Sequence, residues 1–249
     1  MKTVAIIQAR MGSTRLPGKV LMDLGGETVL SRVARRLGQA GQIDEIVIAT
    51  TTARRDNAIV EECSRLGVPY FRGSEQDVLD RYHGAAWQAG AGAVVRITSD
   101  CPLIEPALVD KTIQLFFDRH ADYASNVMPR TYPRGLDTEV FSVTALERAW
   151  READAPHQRE HVTPYFYEHP ELFRLASQQG DRDYSRYRWT LDTAEDLELI
   201  RTIVDRFNDR DDFNWHEVIA LMEREPELVR LNAHVIQKAV APVEGITQP

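Results

Sequence analysis

"VAIIQARMGSTRLPGK", Val4–Lys19, carries the first decision about this chain. Val4–Ala9 is a short apolar run of the kind a buried parallel strand needs. It breaks directly into a loop that holds Gly12, Pro17 and Gly18 together with Arg10, Arg15 and Lys19. In a parallel α/β sheet, ligands sit beyond the carboxyl ends of the strands, and this loop leaves the first strand at that edge. The whole chain has a formal net charge of −8, so positive charge gathered here points to a small anionic ligand.

The residue types suit phosphate. Gly12 and Gly18 permit backbone conformations that other residues avoid, and with Ala9 and Ser13 they let main-chain N–H groups approach an anion. The forked guanidiniums of Arg10 and Arg15 match phosphate oxygens, while Lys19 acts as a compact point charge. At an effective dielectric near 20, a unit ion pair about 4 Å apart is worth roughly 4 kcal/mol, enough for three cations to grip a triphosphate. The stretch is not a P-loop: "GSTRLPGKV" has one residue too many between its glycines, and Val20 stands where a magnesium-binding hydroxyl belongs. Composition alone also allows a solvated loop; the place after the first strand favours phosphate.

Outward from this loop, strand and helix patterns alternate. Helices are expected over residues 28–37, 57–66, 74–89 and 106–119, with strands at 45–50, 68–71 and 93–98. Gly67 supplies a left-handed stop, Ser74 with Asp77 resembles a capping box, and Pro106 opens its helix. This order implies an α/β fold with a mostly parallel sheet covered by helices on both faces. After Ala121 the pattern loosens. Short extended runs are expected at 122–126, 136–141 and 188–191, with helices at 144–152, 195–207 and 214–224. Residues 157–169 look helical but are interrupted by Pro164. The reading is one domain over residues 1–232, with an inserted arm at about 122–180 and a frayed tail at 233–249.

Composition sets the outer limits. The 249 residues can bury a sizeable single core. No stretch approaches the roughly 18 apolar residues of a membrane span, and Lys2 leads at once into a strand-like run rather than a signal peptide. Cys63 and Cys101 are the only cysteines, which fits a reducing cytoplasm. The acidic balance argues against a nucleic-acid partner.

"QARMGSTRLPGK" resembles the opening signature of the sugar cytidylyltransferases, which make CMP-activated acidic sugars such as Kdo and sialic acids. "RITSDCPLI", "YPRGLDTEVFS", "REHVTPY" and "WTLDTAEDLELI" resemble the spore-coat-polysaccharide, SpsF-like branch of that family in the same order, and together they cover roughly residues 1–205. The resemblance implies a Rossmann-like, GT-A-like nucleotidyltransferase fold. It also implies CTP and a sugar as substrates, Mg²⁺ as cofactor, and an arm that crosses to a second subunit in a homodimer.

Since Val20 denies the loop a metal-binding hydroxyl, magnesium needs carboxylates elsewhere. Asp100 and Asp192 each stand just past a strand at the ligand edge, Asp192 directly before Thr193, which with Asp196 resembles a helix cap; Mg²⁺ usually takes one or two carboxylates with phosphate oxygens and water. They match the two metal-binding aspartates that the resemblance implies. Thr98 falls where relatives carry a glutamine that contacts cytosine; its shorter side chain cannot make that bidentate contact. Arg72 and Ser74 lie where relatives read the base, although a helix cap explains Ser74 equally well. Arg81 faces either the nucleotide or a carboxylate on its own helix.

For an acidic sugar, Arg134 and Arg159 are candidate partners of its carboxylate, and Asp137 and Glu139 of its hydroxyls. His161 could orient the sugar or assist proton transfer, or simply be hydrogen-bonded on its helix. "HQREH" fits an inverted zinc-protease motif, but prolines bracket it and no third ligand is evident. Cys101 reads as a small buried side chain. The expected reaction transfers CMP from CTP to a sugar hydroxyl and releases pyrophosphate, for surface polysaccharide or glycan biosynthesis. The alternatives are a nucleotide-sugar-dependent glycosyltransferase and a non-catalytic nucleotide-binding protein.

Overall fold

Alternation within the first strand sets the layers. In β1 (Thr3–Gln8), Ala5 and Ile7 enter one apolar cluster, while Val4 and Ile6 enter another, because successive strand side chains point to opposite faces. The computed structural model describes residues 1–237; the remainder of the expected tail, 238–249, lies outside the described residues.

The first half follows the expected alternation. β1 is followed by α1 (Val29–Leu37), β2 (Glu45–Thr51), α2 (Asn57–Leu66), β3 (Tyr70–Gly73), α3 (Val78–Gln88), β4 (Ala93–Thr98) and α4 (Pro106–Asp118). The second half contributes β5 (Tyr123–Ser125), β6 (Glu139–Ser142), α5 (Val143–Glu152), α6 (Pro156–His161), α7 (Pro164–Glu168) and β7 (Leu175–Ser177). Then come α8 (Ala194–Arg206), α9 (Trp215–Arg224) and α10 (Glu227–Asn232). The seven strands form one sheet in the order β3-β2-β1-β4-β6-β5-β7. Strands β3, β2, β1 and β4 run parallel, and β6 is antiparallel to both of its neighbours. Helices α1, α2 and α4 cover one face, and α3, α5 and α7 the other. This is the mostly parallel, helix-covered sheet that the alternation implied.

Several local signals act as read. Gly67 takes the left-handed conformation, φ 67°, after α2, and Pro106 opens α4. Thr193 and Asp196 form a reciprocal capping box on α8. Pro164 interrupts the 157–169 run, and Val162 before it sits at φ 72°.

Three readings change. The α3 cap is Asp77, which accepts from Asp80 N; Ser74 instead accepts from Asp77 N one turn earlier. The run 188–191 is not a sheet strand. Its extended backbone makes a single parallel bridge, Arg134 to Arg188, because Trp189 and Leu191 are drawn into a third apolar cluster with α8, α9 and α10. The segment 122–180, read as an arm, supplies β5, β6 and β7 to the main sheet and α5–α7 to its cover. Its short strands gave weak alternation, since β5 has only three residues and all are buried.

Candidate active site

The loop after β1 is folded by its own backbone. Met11 O accepts from Ser13 N at 2.9 Å and from Gly18 N at 3.0 Å, and Met11 N donates to buried Asp56 at 2.8 Å. Gly18, φ 72°, turns the chain into a short 3-10 turn, Lys19–Leu21; that positive φ is what glycine supplies. Gly12 serves differently from expectation. Its φ is not positive, and a Cβ there would come within 3.0 Å of the Arg55 guanidinium, so the missing side chain lets Arg55 lie over the loop.

The turn drives Lys19 inward until it is only 8% exposed. Its Nζ donates to Asp100 Oδ2 at 2.8 Å, to Asp192 Oδ1 at 2.9 Å and to Leu191 O at 2.7 Å. The two aspartates thus converge on one ammonium at the sheet edge. Burial works against that charge, but Asp100 and Asp192 outweigh it and hold the Lys19 pKa above its usual value. Asp192 is also gripped by Arg15 Nη2 and Arg188 Nη2, each 2.7 Å from Oδ2. Burial would raise its pKa; Lys19 first, then Arg188 and Arg15, bring it below the usual carboxylate range. Asp196 accepts from Asp192 N at 2.9 Å and from Arg188 Nε at 3.0 Å, so the α8 cap fixes the aspartate's backbone.

A cleft of about 290 Å³ opens over this cluster. Its walls include Ala9, Arg10, Ser13, Arg15, Lys19, Arg81, Thr98, Asp100, His161 and Asp192 from the expected set. They also include Gln8, Thr14, Val20, Val78, Ser99 and Glu160, which sequence reasoning missed. Gln8 and Ser99 were findable, since both stand at the carboxyl ends of neighbouring strands and Ser99 N donates to Gln8 O.

Other expected residues are occupied elsewhere. Arg72 donates to the carbonyls of Thr51 and Ala53 and to Asn57, fastening the chain between β2 and α2. Arg159 pairs with Asp77 and donates to Trp150 O. Glu139 is buried between Arg96 and the Tyr123 hydroxyl, the latter at 2.6 Å. Asp137 takes a two-pronged bond from Arg130 at 2.6 and 2.7 Å, and Arg134 lines a separate cavity. None of these five, nor Ser74 or Gly12, is among the residues lining the cleft.

Arg81 lines the cleft and pairs with no carboxylate of its own helix. It is 1% exposed, makes no ion pair among the described residues, and donates Nη1 to Ser74 O, leaving a buried Nε without a partner. Burial lowers its pKa, and nearby Arg10 adds to that. His161 is half-buried in the cleft wall. Burial lowers its pKa from 6.5; Glu160 opposes this, and Arg96, His157 and Arg10 add to the lowering, which favours the neutral ring.

A hard divalent cation fits the carboxylate pair. Among the described residues the hydrogen-bond partner of Asp100 Oδ1 is the Cys101 thiol, at 3.6 Å, while Asp100 Oδ2 and Asp192 Oδ1 share the Lys19 ammonium. No cluster of three or more His, Cys, Asp or Glu exists among the described residues, so the remaining ligands would be phosphate oxygens and water, as Mg²⁺ prefers.

Residues 4–225 match the model of a family described as cytidylyltransferase. The chain is 36% identical over 229 residues to the spore coat polysaccharide biosynthesis protein SpsF of Bacillus subtilis, covering 89% of this chain and 94% of that protein. It is 40% identical over 246 residues to an uncharacterised protein of Methanocaldococcus jannaschii, covering 98% and 100%. A solved cytidylyltransferase from Leptospira borgpetersenii superposes with a TM-score of 0.88 at 35% identity, covering 92% of this chain and 97% of that one.

Proposed function

The chain belongs to the cytidylyltransferase family and is a nucleotidyltransferase, and from that premise we propose that it transfers CMP from CTP to a hydroxyl of an acidic sugar. The product pyrophosphate leaves, and the activated sugar feeds surface polysaccharide or glycan assembly. The observation that carries this reading is the convergence of Lys19, Arg15, Asp100 and Asp192 in one cleft at the sheet edge. SpsF, by its name, belongs to polysaccharide biosynthesis, which supports the sugar as acceptor.

The residues divide the work. Arg15 and Lys19 turn from the aspartates to the β- and γ-phosphates and hold them as leaving group. Arg10, exposed and without an ion pair among the described residues, and Arg81, buried without one, offer further guanidinium donors to the anionic substrates. Asp100 and Asp192 would hold Mg²⁺, which when bound neutralises charge on the phosphates and lowers the pKa of the attacking hydroxyl. The sugar hydroxyl attacks the α-phosphorus in line, so most of the rate comes from positioning and fixed charge. The neutral imidazole of His161 accepts the hydroxyl's proton or its hydrogen bond.

The testing experiment is a pyrophosphate-release screen with the four nucleoside triphosphates and a panel of acidic and neutral sugars. Release only with CTP and an acidic sugar supports the proposal; sugar transfer from a nucleotide donor without pyrophosphate would replace it. His161 gives a pH signature. Its lowered pKa means the acceptor form is complete at neutral pH and is lost as pH falls below 6.5. The acid limb of kcat/KM should therefore have an apparent pKa under 6.5, and His161→Gln should flatten that limb while cutting the rate about 10²-fold. We further propose a homodimer, expected as twice the 28.3 kDa chain mass in light scattering at micromolar concentration.

A further inference from the structure

Behind Asp192 lies a second cavity, of about 180 Å³, between the extended 186–188 segment and α10. Every charged residue on its lining is an arginine: Arg134, Arg186 and Arg188. This is a notable concentration in a chain of formal net charge −8. Arg188 is neutralised by Asp192 and Asp196. The other two make no direct ion pair among the described residues. Among the described residues the Arg134 guanidinium makes no hydrogen bond or ion pair; burial first, then Arg130, lower its pKa against a smaller opposing effect of Asp137. Arg186 donates to the neighbouring Tyr187 hydroxyl at 2.9 Å and lies 4.7 Å from its ring centre, with Glu223 acting on it from farther off.

Cations gathered around a concave surface with few direct ion-pair partners repel one another, and an anion among them relieves that cost. The volume limits what fits. At about 30 Å³ per water, the cavity holds roughly six waters, enough for a phosphate or a short carboxylic acid but not for a nucleotide. Met222, Val229 and Val235 complete the lining, so an apolar body beside the anionic group is accommodated.

We propose that this cavity is a second anion site, taking a small carboxylate or phosphate between Arg134, Arg186 and Arg188, separate from the nucleotide cleft and coupled to it through Arg188. The coupling follows from how Arg188 divides its donors. Nη2 holds Asp192, Nε holds Asp196, and Nη1 donates to the neutral Gln237 amide oxygen at the cavity. An anion that replaces Gln237 draws Arg188 away from Asp192; conversely, removing the Asp192 charge leaves Arg188 freer to bind the anion. Linkage requires the two effects to be equal in free energy. The proposal does not depend on which sugar or nucleotide the cleft accepts.

Titration calorimetry of the full chain with inorganic phosphate, and separately with butyrate, tests it, with CTP saturating and ionic strength held constant by chloride. The expected result is saturable one-to-one binding that survives CTP and weakens about tenfold in Arg134→Gln and in Arg186→Ala. Asp192→Asn should tighten it severalfold. Saturation by butyrate alone, phosphate alone or both identifies the anionic group preferred. Displacement of both probes by CTP, failure of both to saturate, or affinity unchanged from the parent in both arginine variants would overturn the proposal. Arg186 is exposed, so its variant stays folded even if Arg134→Gln does not.

Discussion

Asp100→Asn is expected to lower kcat about a thousandfold or more while leaving the fold intact, since a metal's charge stabilisation is worth several kcal/mol and each 1.36 kcal/mol is tenfold in rate. The Asp100 carboxylate pairs with one cation among the described residues. Its one strong partner is Lys19, and that ammonium keeps Asp192 and the Leu191 carbonyl when Asp100 is neutralised. The asparagine is isosteric and its side chain is about a quarter exposed, at 24%, so the melting temperature should move little. Mn²⁺ titration followed by electron paramagnetic resonance separates binding from turnover: the variant should bind the ion more weakly with CTP present. Undiminished Mg²⁺-dependent pyrophosphate release from a folded Asp100→Asn would remove this residue from the mechanism.

Lys19→Ala should be nearly as severe, and with an opposite effect on the free protein. Without ligand, Lys19 satisfies both carboxylates that are proposed to receive the cation. Its removal should raise KM for CTP and cut kcat about 10²-fold or more, as loss of a preorganised donor does. The same variant should bind Mn²⁺ more tightly than the parent when no nucleotide is present, because Asp100 then loses its ion-pair partner and Asp192 keeps only Arg15 and Arg188. Weaker Mn²⁺ binding in nucleotide-free Lys19→Ala would contradict the exchange of partners on which the mechanism is built. Stability should fall as well, and its pH dependence has a definite sign. The raised Lys19 pKa means this contribution is complete below 10.5 and lost at higher pH. The lowered Asp192 pKa means its contribution is present above 3.8 and lost as pH falls below that value. At neutral pH both are whole, so denaturant melts of parent and variant should differ most there.

Wild-type and variant behaviour at other positions follows from long-range pairing. Arg159 and Glu139 looked like sugar ligands because charged residues stood inside family-like motifs. In the folded chain Arg159 reaches Asp77, 82 positions away, and Glu139 lies directly across β6 and β4 from Arg96. Substituting Glu139 should damage stability before it changes sugar affinity, since breaking its buried pair leaves the Arg96 charge uncompensated; Arg159 should show the same order more mildly, its pair with Asp77 being half-buried. Arg72, similarly, holds carbonyl groups rather than a base.

What the sequence determined alone were the features whose causes lie within a few residues. The bounds of β4 (Ala93–Thr98) and α2 (Asn57–Leu66) came directly from apolar patterning and a stop glycine. The Thr193–Asp196 cap came from a spacing of three, and the place of the basic loop came from the strand before it. Tertiary structure alone decided which charges face the cleft. The Lys19–Asp192 bond spans 173 positions, and the 188–191 run chose a helix-covered cluster over the sheet. The physical reason is range: backbone propensity and capping act between neighbours in the chain. The partner of a buried charge is set by whichever distant segment the packed core brings within about 3 Å of it.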